Sequence, residues 1–210
     1  MKFTAMIFAA SIITAVSAID SLAIGYYDKS PCASARVGIV TDLSTSKTTT
    51  CASALNTYKT ALGTATCADL SQITNTTTKS YASYECLTDS ASAWAKRTFT
   101  GSYLSSGIYS DKACTTSVGG LFIAADGACS SAGSTSYKVT VKSDGSVNLD
   151  TYTTGDCSGT ASPAPIPSTL LSTCTGVSGM YFKYSLDSSA IRNAGALGFA
   201  LIMALILAIF

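Results

Sequence analysis

The sequence contains no histidine, a single glutamate and only four prolines among its 210 residues. The absence of histidine removes the commonest general base, the commonest pH-dependent switch and the commonest metal ligand. Charged residues make up only 12% of the chain and the formal net charge is +1, so no long-range field favours nucleic acid. We therefore expect no metal, no cofactor and no nucleic-acid partner.

Motifs of common enzyme classes are also missing. The sequence has no nucleophile elbow, phosphate-binding loop or dinucleotide-binding motif. The sole glutamate is Glu85, and most of the aspartates stand among turn-forming residues, where their side chains cap local backbone groups. We expect a protein without enzymatic activity. The alternative is a surface hydrolase with paired aspartates, because carboxylates distant in sequence can converge.

The first 18 residues predict a secretory signal peptide. Lys2 precedes an apolar stretch that ends in small residues up to Ala18, the pattern that signal peptidase recognises. A membrane helix is the alternative, but it needs about 20 apolar residues. This stretch is shorter and includes three polar residues. We expect cleavage after Ala18 and export of the chain.

Residues 188–210 have the order of a GPI-attachment signal. Ser188, Ser189 and Ala190 form a triplet of small residues, a short spacer follows, and an uncharged apolar run occupies residues 196–210. We expect attachment at Ser188 and a mature protein on the outer leaflet of the plasma membrane. A second triplet at 193–195 would leave no spacer. The tail could instead be retained as a membrane anchor or form a buried C-terminal helix.

The eight cysteines predict four disulfides in an extracellular protein. They lie between the two terminal signals, they are even in number, and no two are close enough in sequence for a zinc motif. Sequence alone leaves their pairing open. They are Cys32, Cys51, Cys67, Cys86, Cys114, Cys129, Cys157 and Cys174.

Cysteine spacing suggests an internal repeat. Four cysteines follow a tyrosine by five positions, in the pairs Tyr27 and Cys32, Tyr81 and Cys86, Tyr109 and Cys114, and Tyr152 and Cys157. The interval from Cys51 to Cys67 also recurs, within one residue, from Cys157 to Cys174. We predict two related four-cysteine modules, residues 19–96 and 97–187. A single interleaved domain is the alternative.

Residue patterns predict a mainly β fold of small, disulfide-rich antiparallel β modules, with one or two short helices in the first. Short runs of β-branched and aromatic residues are bounded by turn-forming residues. In the clearest hairpin, 137–153, the apolar faces match only if residues 143–145 form a three-residue loop. Residues 125–127 repeat that turn chemistry. Residues 52–70 have helical spacing, and the prolines of 162–167 predict an exposed extended loop.

Candidate sites are few. Asn75 is in the only N-glycosylation motif, and Ser and Thr, which make up 61 residues, offer positions for O-glycans. Aromatic rings supply binding area at little entropic cost, so Trp94, Tyr109 and Tyr152 are the expected binding residues. The alternative is that these rings fill small β cores.

Together these patterns predict a secreted, GPI-anchored, glycosylated cell-surface protein with a structural, adhesion or recognition role. Its expected partners are the outer leaflet, which it contacts through its lipid anchor, and glycans or surface proteins. Besides a hydrolase, a released effector or inhibitor is the alternative, and it would require that the C-terminal tail fail as an anchor.

Overall fold

A computed structural model describes residues 20–44, 48–63, 66–70 and 80–188. These residues form a mainly antiparallel β structure with two sheets and four disulfides, which confirms the predicted fold class. The expected signal peptide, Asn75 and the tail that follows Ser188 lie outside the described residues.

The elements follow one another along the chain with short connections. The strands are β1 (Ser21–Tyr27), β2 (Val37–Asp42), β3 (Ala68–Asp69), β4 (Tyr81–Leu87), β5 (Ser102–Tyr109), β6 (Ser117–Ala124), β7 (Cys129–Ala132), β8 (Thr135–Val141), β9 (Val147–Tyr152), β10 (Ser162–Ile166), β11 (Cys174–Val177) and β12 (Met180–Ser188). The helices are α1 (Cys51–Leu62), α2 (Ala91–Thr98) and a 3-10 turn (Ser168–Leu170).

The described residues form two antiparallel sheets. The larger has eight strands in the order β3-β4-β1-β2-β6-β5-β12-β11, and the smaller has the order β7-β8-β9-β10. The smaller sheet packs on one face of the larger: Leu104 and Ile123 of the larger sheet share a buried cluster with Val139, Val147 and Ile166 of the smaller. Burial of these apolar faces against each other is the main force that holds two sheets together.

The eight-stranded sheet consists of two halves with the same topology. The first half contains β1 to β4, and the second contains β5, β6, β11 and β12 in the corresponding order. The halves meet where β2 pairs with β6. Ile39 lies opposite Leu121, and the flanking pairs are Gly38 with Phe122 and Val40 with Gly120. The two halves are therefore related by an approximate twofold axis that passes between Ile39 and Leu121.

Equivalent positions of the two halves share residues as well as topology. Gly25, Tyr27, Cys32 and Gly38 of the first half recur at the same spacing as Gly107, Tyr109, Cys114 and Gly120 of the second. Gly25 lies opposite Gly38 and Gly107 lies opposite Gly120. In both halves the ring of the tyrosine lies over the glycine two residues before it.

Three of the four tyrosine-to-cysteine strings are connections between paired strands. They join β1 to β2, β5 to β6 and β9 to β10, and each cysteine has a left-handed backbone, with φ of 62° at Cys32, 51° at Cys114 and 57° at Cys157. The fourth string lies within β4, where Tyr81 and Cys86 are strand residues. Three of the four strings therefore have the same structure, and the fourth shares only their sequence spacing.

Each disulfide connects cysteines of one predicted module. Cys32 pairs with Cys67, just before β3, and Cys114 pairs with Cys174, the first residue of β11, so these two bridges occupy equivalent places in the two halves. The remaining pairs are Cys51 with Cys86 and Cys129 with Cys157. The sheet, however, spans both segments, and the expected boundary between residues 96 and 97 falls inside α2. The division into two modules stays a prediction.

Both helices cover faces of the first half. α1 packs on one face, where Cys51 joins a buried cluster with Leu22 and Ile24. A capping box begins this helix: Ser53 N–H donates to Thr50 Oγ1, and Thr50 N–H donates to Ser53 Oγ. α2 packs on the opposite face. The helix predicted within 52–70 thus exists as one element that ends at residue 62, and the chain then enters β3.

Two local predictions from the sequence concern the smaller sheet. Val139 pairs with Leu149, Lys142 pairs through its backbone with Ser146, and Gly145 has a φ of 79°, which confirms the three-residue loop 143–145. The segment predicted as an exposed loop is instead the edge strand β10. Its two prolines lie opposite Asp150 and Asn148, and an edge strand tolerates residues that lack a backbone N–H.

Candidate functional site

A cleft of about 250 Å³ lies on the α2 side of the second half. Its floor is made of the glycines 107, 119 and 120, which carry no side chains to fill the space above the sheet. β5, β6 and β12 supply the floor and walls, and the first turn of α2 closes one side. We call this cavity the sheet cleft.

Alternation along β12 places three polar side chains in the sheet cleft. Lys183, Ser185 and Asp187 line it, whereas Tyr184, which is out of phase with them along the strand, packs against the core between the two sheets. Successive side chains of a strand point to opposite faces, so the polar set and the apolar set separate cleanly. Lys183 is exposed, and Ser185 and Asp187 are half-buried.

Two serines and the aspartate form a hydrogen-bonded row across neighbouring strands. Ser105 lies opposite Ser185, and their hydroxyl oxygens are 2.6 Å apart. Ser185 donates to Asp187 Oδ2 at 2.7 Å, and Ser105 Oγ lies 3.4 Å from the same oxygen. Such a row holds the carboxylate in one orientation and leaves its second oxygen without a hydrogen-bond partner among the described residues.

Tyr109 contributes the aromatic wall of the sheet cleft. A Cβ atom added to Gly107 would lie 2.7 Å from Tyr109 Oη, so the outer part of the ring lies over that glycine. Its counterpart Tyr27 is hydrogen-bonded to Ser83 at 2.9 Å. Within the described ranges the Tyr109 hydroxyl and the Lys183 ammonium have no such partner. Both groups are therefore available to a ligand.

The three predicted binding residues have different positions. Tyr109 lines the sheet cleft. Trp94 is only 2% exposed and packs edge-on against Phe99 and Phe122, so its ring has a packing role and no free face for a partner. Tyr152 ends β9 in the smaller sheet and is not part of the cleft lining. The structure thus brings none of the three together.

Sequence reasoning missed Ser105, Lys183, Ser185 and Asp187. They come from β5 and β12, which are adjacent in the sheet although far apart in the chain, so no local motif joins them. The only signal in the sequence is the polar-apolar alternation of residues 182–187. It marks a strand with one polar face, which by itself does not distinguish a solvated face from a site.

The described residues offer no site for a metal and no membrane-spanning helix. No group of three or more potential metal ligands occurs among them. In the same ranges, neither α-helix is long and apolar enough to cross a bilayer. Comparisons with protein families, with curated proteins and with solved structures found no match to this chain.

Proposed function

We propose that the protein is a secreted, GPI-anchored surface protein that recognises a small polar ligand through the sheet cleft. One observation carries this proposal. The two halves of the larger sheet are alike, yet α2 covers this face of the first half and only the Tyr103–Phe122 end of the second. The rest of the face in the second half is open and lined by Lys183, Ser185 and Asp187. A concave site with a few convergent polar groups is the usual form of a small-molecule site.

An extracellular location has support from the bridges. Four disulfides with no free cysteine are typical of proteins that fold in an oxidising compartment. Ser188, the proposed attachment residue, is the last residue of β12 and follows Asp187 directly. A lipid anchor at Ser188 would hold this end of the sheet cleft beside the membrane. N-glycosylation at Asn75 belongs to the same proposal.

Recognition suits the sheet cleft better than catalysis does. A two-carboxylate hydrolase needs a second acidic side chain several ångströms from the first. Among the described residues that line the cleft, Asp187 is the only carboxylate. Its hydrogen bonds with Ser185 and Ser105 fix its position, as expected for a group that accepts hydrogen bonds from a bound ligand.

A single experiment on intact expressing cells tests this proposal. Treatment with phosphatidylinositol-specific phospholipase C should release a product that spans residues 19–188 and carries four disulfides, as measured by intact mass after removal of glycans. The labelled product should then bind to cell surfaces in flow cytometry. Lys183→Ala should weaken this binding about tenfold, since it removes a charged hydrogen-bond donor.

The matched control is Lys142→Ala, because Lys142 is exposed and lies just before the β8–β9 loop of the smaller sheet. It should leave binding unchanged. No release, with the tail peptide still on the protein, would contradict the anchor. Equal binding by the two lysine variants would contradict the role of the sheet cleft.

A further inference from the structure

The first half shows what the floor of the sheet cleft accommodates. A Cβ atom added to Gly38 would lie 2.6 Å from Cζ3 of Trp94, so the indole ring rests directly on this glycine. Around it the face is apolar, with Ala23, Val40 and Leu87 in the same buried cluster. In the first half, the flat ring of Trp94 therefore fills the space above Gly38.

In the second half, the position that corresponds to the Trp94 ring lies over Gly120 and belongs to the sheet cleft; we call it the open seat. Gly120 corresponds to Gly38, since the two lie at matching positions of the β2–β6 pairing. The atoms nearest to an added Cβ there belong to Phe122 of the same strand, at 3.3 Å, and to the Ser106 carbonyl, at 3.5 Å. Among these nearest atoms none belongs to a ring from another described element, and Gly120 lines the sheet cleft.

Two positions around the open seat are polar in the second half and apolar in the first. By strand register, Ser105 takes the place of Ala23 and Asp187 that of Leu87. Two further positions are polar in both halves, where Lys183 corresponds to Ser83 and Ser185 to Glu85. An occupant that fills this seat as Trp94 fills the first half would be ring-shaped and would offer hydrogen-bonding groups around its edge.

Charge and size narrow the class of ligand. Lys183 and Asp187 have opposite charges and both line the sheet cleft, so their fields largely cancel and neither an anion nor a cation is favoured. The volume of about 250 Å³ is below the range of about 300–1,000 Å³ for drug-sized ligands. This volume suits one small ring rather than an extended molecule.

We infer that the sheet cleft binds one pyranose ring of a neutral glycan, seated over Gly120 as the indole ring of Trp94 is seated over Gly38. Sugar hydroxyls both donate and accept, so they pair with the free oxygen of Asp187 and with the donors Lys183 and Tyr109. The apolar face of the sugar ring lies on the glycine floor. This inference rests on the proposed function and specifies its ligand.

The test uses the phospholipase-released protein and an array of defined glycans. The neutral probes are oligosaccharides of glucose, mannose, galactose and N-acetylglucosamine, and the charged probes are sulfated and sialylated oligosaccharides. We expect binding to one or more neutral probes and no preference for charged ones. N-acetyltryptophanamide serves as an aromatic-ring probe and should not compete.

Two tyrosines provide matched variants. Tyr109→Phe removes a hydroxyl in the sheet cleft and should weaken glycan binding about three- to tenfold, the value of one hydrogen bond. Tyr27→Phe removes the equivalent hydroxyl from the covered first half, where it bonds to Ser83, and should leave glycan binding unchanged. Trp94 fluorescence and an intact mass with four disulfides show that each variant is folded.

Each result bears on the inference in a defined way. Binding of charged probes alone, competition by N-acetyltryptophanamide, or equal effects of the two tyrosine variants would overturn the assignment of a neutral sugar. If Lys183→Ala weakens cell binding while no neutral glycan binds, the sheet cleft remains a recognition site and only its ligand class is wrong. If Lys183→Ala leaves binding to cells unchanged, the proposed function itself is wrong.

Discussion

Buried serines in the smaller sheet show how much one hydroxyl contributes. Ser136 and Ser130 are both 0% exposed. Ser136 Oγ donates to the Thr154 carbonyl at 2.7 Å and accepts from Cys157 N–H at 2.8 Å, so it holds the β9–β10 connection. Ser130 Oγ has no hydrogen-bond partner among the described residues. The same side chain is therefore structural at one position and dispensable at the other.

We predict that Ser136→Ala lowers the free energy of unfolding by about 1–3 kcal/mol, because it leaves two backbone groups near Cys157 unpaired. Ser130→Ala, the matched control, should leave the free energy of unfolding nearly unchanged or slightly higher. Urea denaturation of the two variants and the parent protein measures both values. Equal destabilisation by the two substitutions would contradict the hydrogen-bond assignment.

An ion pair joins the start of β2 to the end of β6, next to the junction of the halves. Both guanidinium nitrogens Nη1 and Nη2 of Arg36 donate to the carboxylate of Asp126, at 2.5 and 2.9 Å. Hydrogen bonding from Arg36, aided by the backbone N–H of Ala128, lowers the pKa of Asp126 to about 2. A two-pronged contact of this kind is among the stronger ion pairs of proteins.

This lowered pKa predicts a pH dependence. A carboxyl group with a lower pKa in the folded state stabilises the fold above its unfolded pKa of 3.8, and the stabilisation is lost as the pH falls toward 2. Because the Asp126 side chain is 52% exposed, we expect about 1 kcal/mol after solvent screening. Denaturation of the parent and of Asp126→Asn between pH 5 and pH 2 measures it.

The stability of Asp126→Asn should depend less on pH over this interval than that of the parent protein. Arg36→Gln tests the partner. In a double-mutant cycle, the two substitutions together should cost less than the sum of their separate effects. Additive effects and an unchanged pH dependence would show that the contact does not stabilise the fold.

At the scale of elements, the predictable features are those with strong local constraints. The β8–β9 hairpin followed from alternation because a shift by one residue would have turned Val139 and Leu149 to the wrong face. The Gly145 turn followed because the left-handed backbone there favours glycine. Both constraints act within about fifteen residues, so the sequence alone determines them.

Elements with weak local signals were missed or misassigned. α2 has eight residues, of which only Trp94 and Ala95 are buried, so its apolar periodicity is too short to detect. The available signals were its N-cap, Ser90, and the basic pair Lys96 and Arg97 in its last turn. The proline pattern of β10 predicts a loop, because the tolerance of edge strands for proline depends on neighbouring strands that the sequence does not show.

The sheet cleft depends on tertiary structure almost entirely. Tyr109 was a candidate from its residue type, but Ser105 and Asp187 meet only because β5 and β12 are neighbours in the sheet. That adjacency is the counterpart of the β1–β4 pairing in the first half. The adjacency of β5 and β12 is predictable only if the repeat of the strand order is recognised. The tyrosine-cysteine strings carry no information on β12.

At the scale of the whole molecule, the two halves share one core. The buried cluster under α2 combines Ala23 and Val40 of the first half with Tyr103 and Phe122 of the second. Trp94 lies between them, with its ring centroid 6.0 Å from that of Phe122. Neither half can therefore lose its packing without exposing apolar surface of the other, and we expect the chain to unfold in a single cooperative transition.

A substitution at Gly119, at the junction of β2 and β6, tests this cooperativity. An added Cβ there would lie 2.6 Å from the Val40 carbonyl oxygen, a backbone atom that cannot move aside without separating the strands. We predict that Gly119→Ala lowers the free energy of unfolding by about 1–3 kcal/mol. Trp94 fluorescence and amide hydrogen exchange of β8 and β9 should shift together, because the junction stabilises both halves and the sheet packed on them.

The matched control is Gly101→Ala, since an added Cβ at Gly101 meets nothing within 4 Å. It should leave both probes unchanged. Two separate transitions in the parent protein, or a shift of Trp94 fluorescence without a shift in β8 and β9, would show that the segments on either side of α2 fold independently. In that case the repeated strand order would describe two tandem modules that merely touch, and the sheet cleft would belong to the second module alone.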